Sequence, residues 1–320
     1  HTIHKINNND EQIIAQNSYS ELGELTGKSN PTSDLGYQYN IRGWLTDINS
    51  PDNRIFHQKL FYQVNGGTNR WNGNISAIDW KGEDNRWRKY SFIYDNAQRL
   101  NSAVYSVPTN TIENGRYTVN AITYDANGNI LTMSRSGQRT SSSFGNVDNL
   151  SYTYESSPDF SNFSNRLVKV ADATTSTTYT SKDFKPVAAG VNYGYDLNGN
   201  QKTNSDKGIS NIIYNYMNLP TEIIFTGSNR KIVYDYDAEG TKVRQRVHTG
   251  STTPSSTTNY IGEFVFNGSA IDYIMHDEGR VAFEDGEPIY EYYIKDHLGN
   301  HIKNFRKVMA KVGGMKIKQF

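Results

Sequence analysis

An aromatic residue, then Asp or Asn, then Gly three residues later recurs along this chain, and that spacing is what most restricts its fold. Four copies are Tyr39-Asn40…Gly43, Tyr124-Asp125…Gly128, Tyr195-Asp196…Gly199 and Tyr236-Asp237…Gly240, and a final one lies in Tyr293…Asp296…Gly299. Looser copies stand at Tyr94-Asp95, Tyr154-Glu155 and Tyr216-Met217. Tyr favours strands, and its apolar ring and polar tip suit a strand end, where the ring stacks on neighbours and the hydroxyl is expected to hydrate. Asp or Asn bonds its own backbone two residues on, and Gly supplies the positive φ that reverses the chain.

The beat therefore predicts hairpins. Asn-Gly at 127–128 and 198–199 is a tight-turn signal. Residues 129–133 and 241–247 read as returning strands, and residues 56–64 as a strand ended by Asn65-Gly66-Gly67. The shortest gaps between anchoring tyrosines are 20 and 21 residues, which suits two strands and two turns. The expected fold is all-β, with hairpins stacked into a curved sheet or solenoid whose inward face carries the tyrosines. Composition agrees: only 35% of residues are hydrophobic and 23 are Tyr, so the core must lean on aromatic packing. The chain divides into a degenerate repeat or linker at 1–35, a repeat body at 36–301 and a basic tail at 302–320. A short helix is expected from Asn304 to Val312, stopped by Gly313-Gly314. Segments 171–178 and 248–258, rich in Thr and Ser, read as surface loops or long hairpin tips.

Spaced Tyr-Asp-x-x-Gly-Asn units leading to Tyr292-Tyr293-Ile294-Lys295-Asp296-His297-Leu298-Gly299-Asn300 resemble the Rhs, or YD-repeat, proteins of bacteria. Residues 39–46, Trp71-Asn72-Gly73-Asn74-Ile75-Ser76, residues 216–220 and His276-Asp277-Glu278-Gly279-Arg280 are similar too, so the resemblance covers roughly 36–301. It implies a non-catalytic wall segment of a shell that encloses and helps deliver a C-terminal toxin, with adjoining repeats and that toxin as partners and a secreted or cell-surface location. Many such proteins end their shell in an Asp-Pro-x-Gly segment linked to self-cleavage. None of the eight prolines here follows an Asp, and no toxin is expected in this chain.

Other chemistries fit poorly. Formal charge is zero, and with six Lys/Arg and no Asp/Glu in 301–320 the body before it is mildly acidic, unlike the basic footprint of a nucleic-acid binder. No apolar run reaches the length of a membrane span. Cysteine is absent, which fits either redox compartment. The chain opens at His1 with no charged-then-apolar leader, so it reads as a fragment or processed piece. Asp125 and Asp196 start runs with oxygen ligands at alternate positions, but Gly comes at position 4 rather than 6, and position 12 of the second run is Lys207 rather than Glu. His297 and His301 are four apart across turn residues with no Glu after the first, so neither metal nor cofactor is expected. No nucleophile elbow or phosphate loop occurs, and no localised acid–base pair suggests a polysaccharide hydrolase or lyase. The alternative function is a carbohydrate-binding module that presents Trp71, Trp80 and Trp87 to a cell-surface glycan, against the plainer reading that these rings pack between strands.

Overall fold

In the computed structural model the chain is all-β. It describes residues 2–6, 11–49, 55–63, 69–156, 164–174, 184–186, 192–227, 229–308 and 316–319. Among the described residues helical structure is limited to the single 3-10 turns Thr111–Glu113 and Ser205–Lys207. Strands from residues 2–172 form one sheet of thirteen and those from 193–319 a second of thirteen, each in strict chain order and neither closed on itself. The described ladders are antiparallel throughout, as hairpin connections require. The strand expected over 56–64 runs His57–Phe61, and Val64 to Gly67 lie outside the described residues. In the first Thr-rich segment, residues 171–172 belong to the strand Leu167–Asp172 and residues 175–178 lie outside the described residues. In the second, residues 250–255 form the tip between Lys242–Thr249 and Ser256–Ile261.

The chain separates into two compact units. The first gathers His1–Phe61, Ile78–Trp87 and Thr257–Phe320; the second holds Tyr62–Ala77 and Arg88–Ser256.

The first unit joins hairpins some 250 residues apart in sequence. Alternation turns every second side chain inward, so Ile14 meets Ile274, Val281, Tyr290 and Tyr292, while Leu35, Ile48 and Phe56 meet Ile294 and Phe305. Ile14, Ile48, Val281, Tyr290, Tyr292 and Ile294 are at most 1% exposed, and burying each such side chain is worth on the order of 2 kcal/mol. Polar links follow the same seam. Lys28 Nζ donates to Glu278 Oε1 at 2.7 Å, the Tyr290 hydroxyl lies 3.3 Å from His4 Nδ1, and Lys303 pairs with Glu83. At Gly279 an added Cβ would stand 1.9 Å from the Glu291 carbonyl oxygen, so only Gly lets the two strands approach.

The helix expected from Asn304 is instead the strand His301–Val308, paired with Glu287–Lys295 from Ile289↔Val308 to Lys295↔His301. The reason is a period of two: Lys303 and Phe305 turn toward the core while Ile302 and Asn304 face out, and Phe305 is buried against Ile294. Residues 309–312 lie outside the described residues.

The second unit packs differently. Leu150, Val170 and Tyr193 make a buried cluster, and edge-to-face rings run from Tyr90 to Tyr105 (5.5 Å), Tyr105 to Tyr117 (5.1 Å) and Tyr117 to Phe144 (5.7 Å). Each such ring pair adds about 0.5–1.5 kcal/mol beyond its buried area.

His276, like His297, is an acid-sensitive point of the first unit. Its ring lies 6.3 Å from that of Tyr290 and 5.6 Å from that of Tyr292, and its Nδ1 accepts from the Glu278 N–H. Burial first, and then His4, depress its pKa, outweighing a backbone hydrogen bond at Arg280 and the charges of Glu278 and Asp277. The unfolded chain therefore takes up the proton first as pH falls through the ordinary His range, and stability present above it is lost on the way down. Thermal melts of wild type should fall between pH 7 and 5, and His276→Gln should flatten that fall; an identical pH slope in the variant would remove His276 as its source.

Candidate functional site

The repeated turn is one geometry used many times. In the copy at 196–200, Asp196 N–H donates to the Asn200 carbonyl at 2.9 Å and Gly199 N–H donates to the Asp196 carbonyl at 3.1 Å. The Asp196 carboxylate then binds the turn from inside: Oδ1 accepts from Asn198 N–H and Asn200 N–H, and Oδ2 from the Asn200 side-chain amide at 3.0 Å. The same pattern recurs at Asp125–Asn129 and Asp296–Asn300, while at Asp95–Arg99 the guanidinium Nε replaces the Asn amide. The Asn200 amide leads in lowering the Asp196 pKa, and the Arg99 N–H does so for Asp95. Desolvation works against the lowering at Asp125 and Asp296, and the hydrogen bonds of the turn win. Gly43, Gly128, Gly199, Gly240 and Gly299 all sit at φ between 71° and 90°.

At the strand end preceding each turn the register slips. Thr123 faces Thr132 but Tyr124 faces Ile130, and the same slip marks Tyr39, Tyr94, Tyr154, Tyr195, Tyr214 and Tyr236. This bulge on the returning strand re-aims the tyrosine. In Tyr94, Tyr124, Tyr154, Tyr195, Tyr214 and Tyr236 the hydroxyl has a protein acceptor, where the sequence expectation was hydration. It donates to the backbone carbonyl of the residue that faces the preceding anchor. Tyr124 reaches Leu100 at 2.6 Å, Tyr154 reaches Ile130 at 2.9 Å, Tyr195 reaches Leu167 at 2.8 Å, Tyr214 reaches Gln201 at 2.6 Å and Tyr236 reaches Pro220 at 2.9 Å. Tyr94 starts the series on Ile75 at 2.7 Å. Burial raises the pKa of all six phenols, which keeps the proton on the donor.

Two predicted anchors move. Tyr216 is 88% exposed at a turn tip, and the slot belongs to Tyr214, followed by Asn215 and by Asn218 at φ 58°. In the last beat the slip falls between Ile294 and Lys295, so Lys295 rather than Tyr293 occupies the slot, and its Nζ donates to the Asp277 carbonyl at 3.1 Å as a tyrosine hydroxyl would. Tyr293 instead lies against His301, with the rings tilted by 36° and 4.3 Å between their centres. A copy not read from sequence closes the hairpin Gln12–Tyr19/Leu25–Asn30, where Tyr19-Ser20…Gly23 uses a Ser hydroxyl in place of the carboxylate.

A second set of residues was hidden because it breaks the Gly rule. Gln98 (φ 65°) and Asn218 take the Gly position with side chains that accept from the preceding turn. Gln98 Oε1 accepts from Arg70 and Asn72, and Asn218 Oδ1 accepts from Asn198 and Asn200. Asn165 does the same for Asn127 and Asn129. Gln98 and Asn218 stand three residues after Asp95 and Asn215, the Gly offset of the other copies, and that offset was the available signal.

The remaining candidates separate. Trp87 lies 5.0 Å edge-on to His57, with Lys59 and Lys81 ammoniums 5.7 and 5.2 Å from its ring centre. It belongs with Trp80 to the first unit, while Trp71, 64% exposed, belongs to the second. His297 binds Gln58 Oε1 through its backbone N–H and Nδ1, and His301 turns to Tyr293. Among the described residues no group of three or more His, Asp or Glu is disposed to hold a metal ion.

No family model matches the chain, and no curated protein matches it. Solved structures do. A chain of the Tc holotoxin pore of Photorhabdus luminescens superposes with a TM-score of 0.53 at 14% identity, covering 94% of this chain and 17% of its own length. A chain of the TcdB2-TccC3-TEV structure gives 0.53 at 15% identity, covering 91% of this chain and 16% of its own. The fold is that of a portion of these toxin chains, and this chain spans about a sixth of their length.

Removing one anchor hydroxyl leaves a carbonyl without its donor, which costs about 1 kcal/mol. Tyr124→Phe should lower the unfolding free energy by that amount, read as a lower urea midpoint with an unchanged slope. Gly128→Ala has open space for its Cβ, so its cost, roughly 1–2 kcal/mol, is purely that of the left-handed backbone. A neutral result for either would show that the turn or the hydroxyl link does not carry stability.

Proposed function

We propose that this chain is a non-catalytic wall segment of an Rhs or YD-repeat shell, built to extend through further repeats and to enclose and help deliver a toxic polypeptide, in a protein that is secreted or displayed on the cell surface. The observation that carries this reading is the unbroken series from Tyr94 to Tyr236, in which each hairpin spends its anchoring hydroxyl on its predecessor. Each of these hairpins finds the acceptor for its anchoring hydroxyl on the hairpin before it, which supports a wall that grows by repetition. The fold likeness to Tc toxin chains, and the small share of them that this chain spans, suit a segment of a larger body.

The buried charges point the same way. Asp148 is held by Arg135 and the Phe184 N–H, Glu278 by Lys28, and Glu291 by Arg280. Each carboxylate is tied to a structural partner, which supports a structural role for it.

Solution scattering of the 320-residue chain tests the reading. A β-rich particle with a curved, hollow or elongated distance distribution is expected; a compact globular particle would overturn it and favour a binding module.

A further inference from the structure

The strands Pro220–Phe225, Arg230–Tyr236 and Lys242–Thr249 pair so that Glu222, Val233 and Arg246 stand in one row and Ile224, Lys231 and His248 in the next. These rows floor a cleft of about 480 Å³ in the second unit, with Arg230 on one rim and the hairpin-tip residues Ser251 and Thr252 on another. That volume is within the range of roughly 300–1,000 Å³ for small-molecule sites. Three cations face one carboxylate in this lining, Glu222, which lies 3.3 Å from Lys231 Nζ.

The cation geometry is fixed from below. Asp235 takes Arg246 Nη2 on Oδ1 and Arg244 Nε on Oδ2, both at 2.6 Å, which clamps the Arg246 guanidinium to the sheet. The Arg246 Nε is buried and has no acceptor among the described residues, an uncompensated donor. His248, 9% exposed, is held at the end of the cleft by its Nδ1 donating to the Ser251 carbonyl at 3.2 Å. The Arg230 guanidinium lies 5.9 Å from the Phe225 ring centre at the open rim.

We propose that this cleft binds the carboxylate of an acidic saccharide, with Arg246 and Arg230 as its principal donors. Ile224 and Val233 offer the apolar strip that a sugar ring's C–H face covers, and the rim hydroxyls suit sugar hydroxyls. Among the described residues that line the cleft none is aromatic apart from His248, so a stacked nucleobase has no platform. The surplus of positive charge favours a uronate over a neutral sugar, and guanidinium pairs with carboxylate through charge-assisted bonds. The site is independent of the wall role, which would stand or fall on shape and strand linkage alone.

Calorimetric titration of the full chain with digalacturonate, cellobiose and inorganic phosphate tests it. Digalacturonate should bind, cellobiose should give no heat, and Arg246→Ala and Arg230→Ala should each weaken binding about tenfold or more. Arg230 is exposed at the start of its strand, so its variant keeps the test open if loss of Arg246 releases Asp235 and disturbs the fold, a point that circular dichroism checks. Absence of digalacturonate binding, affinity unchanged in Arg230→Ala, or phosphate binding as tightly as the uronate would each overturn the proposal.

Discussion

A tyrosine hydroxyl on a neighbour's carbonyl is the interaction on which the second unit depends. Ladder hydrogen bonds hold the strands of any sheet, but they act on every residue alike and specify no unit. The bond from Tyr195 to Leu167, or from Tyr236 to Pro220, is made once per hairpin and always at the bulge. It needs three things together: a bulge that re-aims the ring, a turn that returns the chain at fixed length, and a preceding hairpin whose first return carbonyl is in place. The Asp-x-x-Gly turn supplies the second, and each hairpin supplies the third to its successor. Arg99 adds to this locally, since one guanidinium binds Asp95, donates to the Asp125 carbonyl at 3.1 Å and lies 4.4 Å from the Tyr124 ring centre.

The first unit is held by other means. Its hairpins come from both ends of the sequence, and what joins them is burial of Ile14, Ile48 and Phe56 against Tyr290, Tyr292 and Ile294, with Lys28–Glu278 and His297–Gln58 as polar keys. Glu278 and Gln58 are both 6% exposed, so removal of either partner would leave a buried group unsatisfied, which is how such keys enforce register more than they add stability. Lys295 shows that the anchor slot needs reach and a donor rather than an aromatic ring: an ammonium on a flexible stem makes the same carbonyl contact.

The turns were legible from sequence because they are local: Asp, Gly and Asn at fixed offsets fix a five-residue loop without help from the rest of the chain. The all-β class followed from repeating that loop at hairpin spacing. What escaped the reading was of two kinds. Substitution of Gly by Gln98 or Asn218 left only loose copies in the sequence of turns whose backbone is the same, since side-chain amides tolerate the left-handed region and gain bonds across to the preceding turn. The anchor slot at Tyr214 and Lys295 is defined by a bulge, which is a relation between two strands, and a single strand's residues do not display it. The basic stretch from Asn304 looked helical by its apolar spacing and the glycines that follow, but Phe305 has a partner in Ile294 on the adjacent strand, and that pairing decides its period. Docking of the first 60 residues on residues 270–305 is similarly a long-range fact with no local signature.

The central claim is that stability in the second unit passes from hairpin to hairpin through the tyrosine links. Native-state hydrogen exchange under mild denaturant, comparing wild type with Tyr195→Phe, measures it most directly. Amides in the strands Leu167–Asp172 and Tyr193–Tyr195, which share that link, should lose protection first, with the effect fading over the next hairpins on either side. Equal loss throughout the unit, or none at these strands, would contradict a nearest-neighbour wall and return the cohesion to the ladder hydrogen bonds alone.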